Sequence, residues 1–267
     1  MRLAVAFFVR GLREALSYRA AFALRLAIAS VSLLAFYYFS RFIDAANPAS
    51  LSRYGGDYLS YGLFGLVMLN LQHATVSAYP QVIRVAQLAG TLEAMLATPT
   101  AGWKVLLLAP AYRFVQAGIS ALALLLVGGL LMGLSFERAN LPALLVAGPL
   151  SIIAFAALGF FGATLTMIMR RADPISMVLG GFSTLAGGVF FPPDVLPGWL
   201  KTAGAALPIT HGLETLRRAA FDGATIADLG GPLLLLGAFC AIAVPLGLLS
   251  FVWAIRRSRR DGSLSHY

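Results

Sequence analysis

Three histidines, His73, His211 and His266, one cysteine, Cys240, two lysines, Lys104 and Lys201, and eleven carboxylates are the side chains of this sequence able to do acid–base, nucleophilic or metal chemistry. Their spacing argues against all three. Gly181-Phe182-Ser183 offers a serine, but a nucleophilic serine needs a base within hydrogen-bond reach, and His73 is the one histidine inside a long apolar run. A serine among glycines in such a run more often packs helices together. No grouping of His, Cys, Asp and Glu has metal-ligand spacing, and a lone cysteine cannot form a disulfide within the chain. A phosphate-cradling loop G-x-x-x-x-G-K-[ST] needs a lysine after glycine, whereas Lys104 follows Trp103 and Lys201 follows Leu200. The expectation is a chain with no catalytic residue, no metal ligand and no cofactor of its own, which neither binds nor hydrolyses ATP.

The carboxylates point the same way. Glu14, Asp44, Asp57, Glu93, Glu137, Asp173, Asp194, Glu214, Asp222, Asp228 and Asp261 all fall outside the long apolar runs. Ion-coupled carriers generally hold a titratable group near the bilayer midplane, so a secondary transporter is the more distant alternative. The surroundings of these residues are those of a membrane: 59% of the 267 residues are hydrophobic and 12% charged, against ~45–50% and ~25% in soluble domains, and mean hydropathy is +0.83. A crossing of the hydrocarbon core takes roughly 20 apolar residues, so this length accommodates six or seven spans and no nucleotide-binding domain. The net charge of +9 would fit nucleic acid in a polar protein, but the basic residues flank apolar runs, as membrane orientation requires.

The elements that must position any site follow from these runs. The sequence predicts an all-α membrane protein, a single transmembrane domain over 1–267 with six spans at about Phe22 to Ile43, Tyr58 to Ile83, Val105 to Leu134, Pro142 to Met169, Pro174 to Phe191 and Leu229 to Ile255. Residues 1–19 put Arg2, Arg10, Arg13, Glu14 and Ser17 opposite Val5, Phe8, Val9, Leu12 and Leu16, the pattern of a helix lying in the membrane interface. With the N-terminus in the cytoplasm, Arg2, Arg10, Arg13, Arg19, Arg84, Lys104, Arg170, Arg171, Arg256, Arg257, Arg259 and Arg260 lie inside, and Arg41, Arg53, Arg138, Lys201, Arg217 and Arg218 outside. Twelve against six puts both termini in the cytoplasm. Pro192, Pro193, Pro197 and Pro208 forbid a straight span over 192–223; two short helices, about Leu196 to Leu207 and Ile209 to Asp222, are expected to dip into the outer leaflet and stop at Gly223.

Neutral polar and small residues mark the remaining candidates. Asn70, His73 and Ser77 share one face of the second span, and Gly180, Thr184, Gly187 and Gly188 form a small-residue face on the fifth. Either helix packing within a subunit or a substrate path at a dimer interface accounts for both faces. Phe36-Tyr37-Tyr38-Phe39 fits an aromatic belt better than a sugar platform. Within the cytoplasmic loop 84–104, Gln87 to Thr98 has a helical pattern stopped by Pro99.

Here two motifs carry a resemblance. Gly90-Thr91-Leu92-Glu93-Ala94-Met95-Leu96-Ala97-Thr98-Pro99 resembles the cytoplasmic G-T-L-E-x-L-x-x-T-P element of ABC-2-type transporter permeases. Gly188-Val189-Phe190-Phe191-Pro192-Pro193-Asp194-Val195-Leu196-Pro197, continuing through Pro208, Glu214, Arg217, Arg218 and Gly223, is similar to that family's closing signature. His211 departs from it, since many members have an aromatic residue there, and its role stays open. The resemblance implies a permease that forms a homodimer in the inner membrane, amid membrane lipid and without nucleic acid, and binds two cytoplasmic ATPase subunits holding ATP and Mg. Gly90, Thr91, Leu92, Glu93, Thr98 and Pro99 would couple to the ATPase. Asn70, His73, Ser77, Gly180, Thr184, Gly187 and Gly188 would line the substrate path, and Phe191, Pro192, Pro193, Leu196, Pro197, Glu214 and Arg217 the outer gate. The cargo implied is hydrophobic or amphipathic, a drug or lipid, with lipid-linked polysaccharide as the alternative.

Overall fold

The structure is a computed structural model that describes residues 9, 34, 36–41, 58–92, 95, 102–132, 136–169 and 174–260. The expected interfacial helix 1–19 lies outside the described residues apart from Val9, as do most of the first span and Glu93, Thr98 and Pro99 of the coupling element. The described residues contain helices and connecting turns and no strand. In chain order these are α1 (Tyr58–Val76), α2 (Ala78–Leu88), α3 (Gly102–Leu108), α4 (Ala111–Met132), α5 (Leu141–Met169), α6 (Pro174–Ala186), a 3-10 turn (Pro193–Val195), α7 (Gly198–Ala205), α8 (Pro208–Phe221) and α9 (Gly230–Arg260). Among the described residues, three helical stretches are long and apolar enough to cross a membrane: Lys104–Leu130, Leu141–Met169 and Gly230–Ser258.

Helix α5 is the hub. It packs along α9 and also touches α1, α2, α6 and α8. One core cluster joins Tyr79, Ile83 and Leu92 to Phe160, Met167 and Phe251 at one end; a second joins Phe64, Met68 and Phe155 to Val189, Ile209 and Leu213 at the other. Outward faces stay apolar: Leu130 is 84% exposed, Leu145 73% and Leu234 75%, the surface that lipid or a second subunit must cover.

Three spans are interrupted or cut short relative to their sequence expectation, each for a local reason. The second is bent at Ser77 between α1 and α2. Pro80 has no N–H to give the Val76 carbonyl and its ring crowds that oxygen, while the Ser77 hydroxyl donates to His73 O at 2.7 Å, a bond that also bends helices. Gly159 of α5 sits against the bend, where a Cβ would lie 2.9 Å from Val76 O. The third is broken at Ala109–Pro110 between α3 and α4. The fifth stops at Ala186 rather than Phe191, because Gly188 takes φ +70° and turns the chain out of the helix. Its 13 residues span about 20 Å, short of a ~30 Å core. The two short helices expected in the proline-rich stretch are α7 and α8, within about two residues of the expected ends. The last helix runs five residues past the expected Ile255, to Arg260. Before it, Asp228 accepts from Thr225 N at 2.9 Å and Thr225 Oγ1 at 2.7 Å. Those two hydrogen bonds hold its carboxyl below the ordinary range, so the turn is steadied when the group is ionised and loosens as pH falls through that lowered value.

Candidate functional site

Three places gather the expected residues. The first is the end of α2. Thr91 N donates to Ala86 O at 2.9 Å and Gly90 N to Gln87 O at 3.0 Å, with Gly90 at φ +64°: a Schellman closure, in which glycine occupies the left-handed position and the next N–H caps the last turn. Thr91 O then accepts from Met95 N at 2.9 Å, and Leu92, 1% exposed, plugs the cluster of Ile83, Ala86, Leu106 and Met167. The Gly-Thr-Leu order is thereby explained residue by residue: turn, cap and anchor. No atom stands within 4 Å of a Gly90 Cβ, so the backbone angle, not space, demands glycine. Gly90→Ala is expected to cost about 1–2 kcal/mol at this turn, read as faster amide hydrogen exchange over residues 89–95 with the rest of the bundle unchanged; unaltered exchange there would refute the closure.

The second place is the proline-rich segment before α9. Arg217, 3% exposed, points from α8 into the bundle. Its Nη1 donates to Gly188 O at 2.9 Å, and its Nη2 to Tyr61 O at 2.7 Å and Val189 O at 3.1 Å. The guanidinium carbon stands 3.6 Å from the Tyr61 ring centroid, and the Tyr61 hydroxyl donates to Gly188 O at 2.6 Å. Gly65, one turn further along α1, lets the chain approach: a Cβ there would collide with Val189 O. So Gly188, expected in the substrate path, and Arg217, expected at the outer gate, meet in one knot. Glu214 belongs elsewhere, 3.8 Å from Arg218 on the surface of α8. Phe191 is 48% exposed, Pro192 is buried and Pro193 and Leu196 half-buried. His211 Nε2 contacts Ala205 O at 2.8 Å, tying α8 to the end of α7.

The third place is a recess of about 470 Å³ lined by His73, Ser77, Pro80, Gln81, Arg84, Thr166, Ser176, Met177 and Gly180. It brings His73 and Ser77 together with Gly180 and leaves out Asn70, Thr184, Gly187 and Gly188. Asn70 is exposed and donates to Leu66 O at 2.9 Å; Thr184 Oγ1 donates to Gly180 O at 2.7 Å. Gly187 is buried, where a Cβ would come 2.8 Å from Ile209 Cγ2 of α8. Ser183 is fully buried and accepts from Gln72 Nε2 at 2.9 Å, which makes it a tie between α6 and α1. Tyr61 and Gln72 were not singled out by sequence reasoning, since a tyrosine and a glutamine in an apolar run carry no pattern until their partners are known. Among the described residues no three of His, Cys, Asp and Glu cluster to hold a metal.

Against curated proteins the chain finds no match. A family model does match, that of the ABC-2 type transporter, over residues 5–221, which includes the Gly90 turn, the recess and the Arg217 knot. The chain therefore belongs to the ABC-2 type transporter family.

Proposed function

We propose that this ABC transporter permease is the membrane half of an exporter, with six spans, both termini in the cytoplasm and the α7–α8 pair re-entering the outer leaflet of the inner membrane. Two copies pair, two separately encoded ATPase subunits supply ATP and Mg, and hydrophobic or amphipathic cargo leaves the cytoplasm along α1 and α6 at the interface. The observation that carries this reading is the sharing of one end of the bundle by the recess and the closed turn of α2. Arg84, which lines the recess, and Gly90 in the turn are six residues apart on one helix and its C-terminal turn. A push on the turn is thus a push on the recess wall, which a coupling element requires.

The test is co-reconstitution with the partner ATPase. Glu93→Ala or Glu93→Arg is expected to leave expression intact and abolish cargo-stimulated ATP hydrolysis and transport, because losing one partner of a desolvated charge pair costs roughly 2–5 kcal/mol. Full transport by both variants would sink the coupling role, and hydrolysis by the permease alone would sink the division of labour.

A further inference from the structure

Between α1 and α6 the bundle buries polar groups for which the transport reading has no use. Gln72 is 3% exposed, and Thr75 and Ser183 are fully buried. Gln72 Nε2 donates to Ser183 Oγ at 2.9 Å and so joins the two helices. The other half of that amide is unanswered: Gln72 Oε1 finds no hydrogen-bond partner among the described residues, and neither does Thr75 Oγ1. Thr75 stands three residues on from Gln72, which makes the two side chains neighbours on the surface of α1. Helical hydroxyls elsewhere in the chain turn back onto the carbonyl four residues earlier, as those of Ser151, Thr164, Thr184 and Thr215 do at 2.8, 2.9, 2.7 and 2.7 Å. The Thr75 hydroxyl does not. Helix α5 closes the seam from behind, for a Cβ on Gly159 would lie 3.4 Å from Thr75 O. Two buried polar atoms left bare side by side are costly, and they call for a small ligand able both to donate and to accept.

We propose that Gln72 and Thr75 bind one buried water in this seam, with Ser183 fixing the amide that faces it. The water donates to Gln72 Oε1, and its oxygen accepts from the Thr75 hydroxyl, two polar partners being enough to hold a buried water. The consequence is mechanical: α1 and α6 are joined through groups that water already solvates, so parting them strands no donor or acceptor. The site itself does not depend on the transport reading.

Thermal unfolding of the full-length chain in nanodiscs tests it by the sign of a shift. Valine has the shape of threonine without its hydroxyl. If the water bridges Thr75 to Gln72, Thr75→Val takes away one of its partners, and the melting temperature is expected to fall by about 2–4 °C. If the hydroxyl has no partner, the same change removes a buried bare polar group and the melting temperature rises. Gln72→Leu removes the water's acceptor, so in that background the fall caused by Thr75→Val should vanish or reverse, as coupled sites require. A rise in the otherwise wild-type chain overturns the proposal. So does a fall of equal size in both backgrounds, which would give Thr75 a partner of its own. Should Gln72→Leu leave no folded protein, the sign of the Thr75→Val shift decides alone. Neither cargo nor ATPase takes part, so a failure here leaves the transport reading standing.

Discussion

Arg217→Met is expected to leave little folded protein. Methionine keeps much of the stem but removes every donor. Val189 O then loses its 3.1 Å bond and Tyr61 O its 2.7 Å bond, while Gly188 O keeps only the Tyr61 hydroxyl. Hydrogen bonds from a charged donor contribute about 1.5–3 kcal/mol each. The three bonds together come to about 4.5–9 kcal/mol before the stacking on Tyr61 is counted, comparable to a domain's whole stability. Buried charges can sometimes be exchanged for apolar groups without harm, but only when both partners go. Here the acceptors are main chain and stay. Arg217→Lys should recover part of the loss, since one ammonium cannot reach three carbonyls and lie flat on a ring together. Arg218→Met is the control: its ion pair with Glu214 spans 3.8 Å at the surface, and such pairs are worth at most about 1 kcal/mol. Size-exclusion profiles and melting temperatures of the purified variants decide it. A wild-type melt for Arg217→Met would mean that the knot holds nothing together.

How much of this could be read from the sequence depends on which physical quantity the pattern encodes. Proline inside a polar-flanked apolar stretch reports a break directly, so the α7–α8 pair was legible from Pro192, Pro193, Pro197 and Pro208. Pro80 and Pro110 report the same thing, yet their runs continue apolar on both sides and read as straight spans, because hydropathy is blind to direction. Helical angle is also legible while reach is not. Gly180 and Gly187 stand seven residues apart, nearly on one face, and the sequence groups them. The structure opens that face at Gly180, where a Cβ would meet nothing within 4 Å, and closes it at Gly187, where Ile209 of α8 crosses. Periodicity says which way a residue points; only the fold says how far the neighbour extends. Arg217 was legible as a motif position and not as a buried cation, since its acceptors are carbonyls of Tyr61, Gly188 and Val189, and carbonyls leave no mark in a sequence.

A test of a dimer interface on α6 must therefore use positions that no other helix of the same subunit covers. The stripe of α6 free within one subunit is Met177, Val178, Gly181 and Leu185, all exposed, with Thr184 half-buried at its edge. If two subunits meet there, Gly181→Trp must intrude on the partner helix or the cargo, and transport is expected to fall more than about tenfold while the chain stays folded. Cysteine at Gly181 should cross-link two copies, given Cα atoms within about 7 Å. Gly187→Trp would act by another route: its Cβ already lies 2.8 Å from Ile209 Cγ2, so overpacking should remove folded protein rather than transport alone. A lipid-facing stripe makes the opposite forecast, because tryptophan in contact with acyl chains displaces only lipid. Normal transport by Gly181→Trp, together with no cross-linked dimer in any nucleotide state, would place this face in the bilayer and move the interface to the other apolar surfaces, α4 or α9.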